Sequence, residues 1–186
     1  MFVEEYLQDL RRDRSTLPAL AVYARRLARR VRGDMVASPG AVPSAWGLPL
    51  VFFAAAFLGA VALTFPAHRD LAYELLLTTS LAILLAFAFV TFAIGELRDR
   101  DGYRLSALNV PIALTLLRGV LLPGVVLFLE GRHFALAAAL YLVAALTEVA
   151  DGWVARRFSQ VTALGTLLDP VVDIVFNFAI LGGLWA

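Results

Sequence analysis

A polar segment studded with arginine opens the chain, and from about residue 48 onward apolar residues run in long blocks separated by short charged or turn-forming breaks. Five blocks stand out, at 48–65, 71–95, 108–129, 134–150 and 166–186. Most reach the roughly 17–25 residues a helix needs to cross the hydrocarbon core of a bilayer. A chain in lipid must satisfy its own backbone polar groups, and a helix does so internally. The pattern therefore predicts an all-α, polytopic transmembrane helix bundle of five spans. Glu74 and residues 78–80 interrupt the second block, and Pro111, Arg118 and Pro123 interrupt the third. Pro39, Gly40, Pro43 and Gly47 predict a linker over 34–49. Before it, Leu20, Tyr23, Leu27 and Val31 recur at helical spacing over 18–32 among Arg25, Arg26, Arg29, Arg30 and Arg32. That predicts a cytoplasmic amphipathic helix suited to an anionic leaflet. A solvated basic arm that only orients the chain fits the same pattern.

Composition agrees. Of 186 residues, 61% are hydrophobic and 17% charged, against about half and a quarter in soluble domains. With 0 Cys a disulfide scaffold is excluded. The 16 basic residues, all Arg, nearly balance 15 acids, giving a net charge of +1, so charge implies no nucleic-acid partner. No apolar core of signal-peptide kind lies near Met1, and no secretory leader is expected. Segments 1–47, 96–107 and 151–165 hold 13 arginines, among them Arg98, Arg100, Arg104, Arg156 and Arg157. The opposite face would hold 2, Arg69 and Arg132, beside His68 and His133. Since basic loops stay inside, the expectation is an inner (cytoplasmic) membrane protein with its N-terminus in the cytoplasm. Three regions follow: 1–47, basic and linking; 48–107, two spans and a cytoplasmic loop; 108–186, three spans.

Four acids sit at span ends, where charge is costly: Glu148, Asp151, Asp169 and Asp173. On a helix, Glu148, Asp151, Gly152, Ala155 and Arg156 share an arc of about 140°. Asp169 and Asp173 are four residues apart, with Gly165 and Asn177 extending their stripe. A turn over 157–164 lets the two stripes meet at the cytoplasmic surface. Facing carboxylates repel unless protonated or bound to cations. An all-oxygen donor set suits Mg²⁺ or Mn²⁺, and two such ions could clamp a pyrophosphate. Arg156 offers paired donors to phosphate, and Gly152, Ala155 and Gly165 let a flat ligand approach the backbone. The residues alone thus point to metal-assisted phosphoryl chemistry. Acids paired with Arg156 and Arg157 as simple anchors would leave the small residues and the two stripes unexplained. An ion pathway would need acids at mid-membrane.

The run from Glu148 through Asp151, Gly152 and Ala155 to Arg156, then Gly165, Asp169 and Asp173, resembles the signature of the CDP-alcohol phosphatidyltransferases. That signature is D-x-x-D-G-x-x-A-R, a spacer of about eight, and G-x-x-x-D-x-x-x-D; seven of its eight fixed positions are present. Asn109, Pro111, Thr115 and Arg118 resemble the family's first-helix motif. The resemblance implies phosphatidyl transfer from a CDP-linked lipid such as CDP-diacylglycerol to an alcohol, with release of CMP, in phospholipid biosynthesis. It implies metal at Glu148, Asp151 and Asp169, and Asp173 as the general base that also touches metal. It further implies a nucleotide site at Gly152, Ala155, Arg156 and Gly165, with Asn109, Thr115 and Arg118 as acceptor or phosphate contacts.

Three positions depart from the family pattern: Glu148 replaces its first Asp, Ile112 replaces an Asn, and Ile174 follows Asp173 where users of glycerol phosphate carry Lys. They leave open a non-catalytic or degenerate membrane subunit of the same family. The family has six helices, of which this chain supplies the first three. A fragment or shortened product fits this, with the two extra spans packing where the missing helices would lie or a partner chain completing the bundle. The resemblance also implies a homodimer, for which small residues such as Gly182 and Gly183 would permit close helix contact.

Overall fold

The computed structural model describes residues 17–65, 69–99, 101–158 and 160–185. The expectations for the first 16 residues, for His68 and for Arg100 lie outside these, as do the side chains of Leu20 and Tyr23. Six helices follow in order: α1 Leu17–Ala37, α2 Ala41–Thr64, α3 Arg69–Phe92, α4 Val110–Glu130, α5 Phe134–Arg157 and α6 Ala163–Trp185. The described residues contain no strand. Five helices, α2 to α6, are long and apolar enough to cross a membrane, and the protein is an integral membrane protein. The short connections between successive spans force them to alternate in direction. The α5–α6 turn and the starts of α2 and α4 therefore lie at one end.

Helix α4 is the hub. It packs against α3, α5 and α6, and touches α2. Half of its apolar window is buried, against 11–22% for the other four. Its Ile112, Leu116 and Val120 form one stripe, joined in a single core by Phe52 of α2, Phe87 and Val90 of α3, and Leu164 and Leu168 of α6. The Phe52 and Phe87 rings meet edge to face at 5.9 Å. At Gly124 the helices come so close that a Cβ would stand 2.8 Å from a Leu140 methyl and 3.1 Å from one of Leu75. Van der Waals packing of this kind holds helices together in lipid, where apolar burial gains little. Gly183 serves the same end inside the chain, its Cα facing Leu129 and Val126, whereas among the described residues nothing lies within 4 Å of where a Cβ on Gly182 would stand.

The expected linker over 34–49 is absent. Helix α1 runs to Ala37, and α2 starts at Ala41 after a short turn. Pro43 falls in the first turn of α2, where no N–H partner is needed, and Pro49 lies inside the helix. The helices also outrun the apolar blocks, α5 reaching Arg157 and α6 beginning at Ala163. Apolarity marks the hydrocarbon zone, while helical hydrogen bonding continues through charged residues beyond it.

Between α3 and α4 the chain makes a single turn of 3-10 helix at Ile94–Glu96 and a small hairpin. Leu105 N–H donates to Leu97 O at 3.0 Å and Asp99 N–H to Tyr103 O at 2.9 Å. Gly102 turns the chain at φ +84°, a conformation that glycine adopts without strain. Arg104 reaches from this hairpin to Asp34 (2.9 Å) and to Ser38 Oγ (3.0 Å), tying down the end of α1. On α1, Leu27, Val31 and Met35 are half-buried while the arginines among them are exposed.

Candidate active site

The ends of α4, α5 and α6 are fastened to each other before any chemistry is considered. Asn109 caps α4, its Oδ1 accepting from Ile112 N–H at 3.2 Å, and its amide donates to Gln160 O in the α5–α6 turn at 2.7 Å. Thr162 caps α6, accepting from Gly165 N–H at 3.0 Å. These side chains use the unpaired groups of helix ends to set how α4 meets the two acidic helices.

On that frame the four acids fall into two tiers, each taking one residue from each helix. In the outer tier the buried Thr115 hydroxyl stands between two carboxylates, 2.8 Å from Asp169 Oδ1 and 3.4 Å from Asp151 Oδ2. It is also 3.1 Å from the Pro111 carbonyl. One hydroxyl has one proton to donate, so the second carboxylate remains available for another donor or a cation. In the inner tier, one turn along each helix, Arg118 Nη2 holds Asp173 Oδ1 at 2.7 Å, and Nη1 lies 3.5 Å from Glu148 Oε2. Arg118 is only 2% exposed, yet its Nε and Nη1 make no hydrogen bond among the described residues. A small cleft of about 150 Å³ opens beside it, lined by Tyr141, Glu148, Asp173 and Asn177 among others.

Glu148, Asp151, Asp169 and Asp173 are thus brought together, and Asp151 and Asp169 face one another as their spacing predicted. The anchor reading does not describe the site, since among the described residues neither Arg156 nor Arg157 pairs with an acid. Arg156 instead lies back over Gly152, where a Cβ would stand 3.1 Å from its Nη1. Gly165 sits against Thr162 and, at 3.8 Å, Ile112. Ala155 is half-buried nearby. Ile112, a departure from the family motif, is a fully buried core residue. Asn109 and Thr115 are occupied in joining helices, and Arg118 is the charged centre of the inner tier.

Spacing alone passed over Tyr141, Gln160 and Thr162. Tyr141 had a readable signal, standing seven residues before Glu148 on the same face of α5. Gln160 acts through its backbone, which leaves no trace in residue type. Thr162 is a helix-start threonine that can be recognised only once the helix start is known.

No group of three or more acids or histidines among the described residues forms a ready-made metal cage. The outer tier nonetheless fits a hard divalent ion. Its donors are all oxygen, and its two carboxylates converge on one hydroxyl.

Comparison with known proteins finds relatives for the part of the chain that holds this site. Residues 108–186 match the CDP-alcohol phosphatidyltransferase family. The match begins just before the cap of α4 and takes in both tiers. Among curated proteins, the chain resembles the CDP-diacylglycerol–glycerol-3-phosphate 3-phosphatidyltransferase of Aquifex aeolicus, 38% identical over 71 residues, covering 38% of this chain and 40% of that protein. The Escherichia coli protein of the same name is 47% identical over 68 residues, covering 35% of this chain and 37% of its own. The chain therefore spans well under half the length of the curated relatives it matches. No solved structure matches it.

Proposed function

We propose that residues 108–186 carry the donor-binding and transfer site of a CDP-alcohol phosphatidyltransferase acting in phospholipid synthesis at the inner face of the membrane. One observation carries the reading: Asp151 and Asp169, from two helices, converge on the Thr115 hydroxyl within the stretch that matches the family. The donor is a CDP-linked lipid. The relatives' names make glycerol 3-phosphate the first acceptor to try, although Ile174 stands where users of that acceptor carry Lys.

Asp151 and Asp169, with Glu148 one turn away, would hold Mg²⁺ or Mn²⁺. Such an ion would neutralise pyrophosphate oxygens and stabilise the charge on departing CMP. The chain's own residues bind and orient. Gly152 and Ala155 leave the backbone open to the nucleotide, with Gly165 behind them, and Arg156 lies across Gly152 in reach of phosphate. Asp173 takes the proton of the acceptor hydroxyl as its oxygen attacks the lipid-linked phosphorus, the bond to the CMP oxygen breaks, and CMP leaves as the anion. Arg118 fixes one oxygen of Asp173 at 2.7 Å and leaves the other to accept the proton.

The arginine asymmetry supports a cytoplasmic N-terminus and active site. Arg98, Arg104, Arg156 and Arg157 flank the end that bears the acids, while Arg69 and Arg132 flank the other. A second copy or a completing chain would enclose the exposed sides of α5 and α6. The direct test incubates the purified full chain with CDP-diacylglycerol, Mg²⁺ or Mn²⁺ and a panel of alcohols including glycerol 3-phosphate. CMP release is expected. Its absence with every alcohol would leave a non-catalytic member of the family.

A further inference from the structure

The two tiers differ in charge. The outer one sets two carboxylates against a neutral hydroxyl, whereas the inner one sets two carboxylates around a guanidinium. We infer that Arg118 serves as the second cation of this site, so that the chain binds one divalent ion, between Asp151 and Asp169, rather than two. The inference rests on the transferase reading and changes its metal stoichiometry.

Three observations carry it. First, Arg118 already does what a bridging ion would do in the inner tier, touching one carboxylate from α5 and one from α6. A cation placed there would have to displace a guanidinium that is only 2% exposed. Second, buried polar groups nearly always have a hydrogen-bond partner, from the protein, from water or from a ligand. Arg118 Nε and Nη1 have no such partner among the described residues. Beside the cleft, these N–H groups suit an anionic phosphate oxygen, the other task of a second ion. Third, Glu148 suits this arrangement, since its extra methylene gives it reach toward α4. Its carboxylate remains 64% exposed while lying 3.5 Å from the guanidinium. A fixed guanidinium cannot leave with the product, so the inner tier keeps its charge through every turnover.

The test is Mn²⁺ binding to the full chain in lipid nanodiscs, followed by calorimetry and electron paramagnetic resonance. Wild type is expected to bind one Mn²⁺ with an uncoupled signal, and Asp169→Asn to lose it. Arg118→Gln, with its helical circular dichroism retained, is expected to gain a second ion and a spin-coupled signal, while Arg118→Lys stays at one. Two coupled ions in wild type, no binding at all, or a folded Arg118→Gln that still holds one would each overturn the inference. If Arg118→Gln does not fold, the wild-type count decides. A chain that holds one ion but releases no CMP keeps this inference and loses the transfer reading. A chain that releases CMP with two coupled ions does the reverse.

Discussion

The pair α2–α3 and the trio α4–α6 are built from helices of similar length and apolarity, yet they bury different things. The described part of the pair contributes Ala45, Phe52, Ile83, Phe87 and Val90 to the core, with Thr79 as a buried polar residue and no buried charge. The trio buries Thr115, Thr147, Thr162 and Arg118 and carries all four acids of the site. Both meet on α4, whose Ile112, Leu116 and Val120 stripe faces the shared core while Thr115 and Arg118 face the carboxylates. One helix can serve both because these stripes lie roughly a third of a turn apart. In lipid, apolar faces are cheap to expose and hold helices only by close packing, whereas unpaired charge is expensive. The pair therefore buttresses, and the trio is where polar groups must find partners.

Substitutions should separate the two roles. The largest expected effect is from Asp173→Asn, which keeps the shape of the side chain and removes the carboxylate proposed as the base. CMP release should fall by about 10²- to 10⁴-fold, in a bundle that still folds but unfolds at a lower temperature, because the buried Arg118 loses the charge it pairs with at 2.7 Å. A variant that unfolds instead would place Asp173 among the structural residues. Next, Phe52→Ala empties a packed site in the pair. Its cost should lie near the lower end of the ~3–5 kcal/mol seen in aqueous cores, because lipid rather than water is the alternative environment. Detergent or thermal unfolding should register it, while the Mn²⁺ count stays as in wild type. Gly124→Val, where both regions crowd α4, should cost about 1–3 kcal/mol by overpacking. It should loosen pair and trio together, which cysteine cross-linking of α3 to α4 and of α4 to α5 would detect. Asn109→Ala removes the cap and the link to Gln160, for about 1 kcal/mol and a modest loss of CMP release. The smallest effect belongs to Arg104→Ala on the hairpin, below about 1 kcal/mol for a partly exposed ion pair. Faster proteolysis between α1 and α2, with CMP release intact, would confirm it as a tether for α1.

Much of this was written locally in the chain. Five spans follow from the lengths of five apolar blocks, since a helix that satisfies its own backbone needs no neighbour to be specified. The facing of Asp151 and Asp169 follows from helical spacing and one short turn. The first turns of α2 were not legible, because Pro39, Pro43 and Gly47 read as breakers unless the position of the helix start is known. The burial of Leu97 inside an apparently polar loop was equally hidden, as it depends on the hairpin folding back against the core.

The sequence by itself determined that this is a helical membrane protein and that its acids gather at one end of two neighbouring helices, because span length and helical period are properties of a single segment. Only the tertiary structure decided that those acids form two tiers. It set a hydroxyl in the outer tier and a buried arginine in the inner one, because both come from a third helix whose rotation is fixed by packing at Ile112, Leu116 and Gly124. The partner of a charge in lipid is chosen by which helix faces it, and no spacing along one chain segment encodes that.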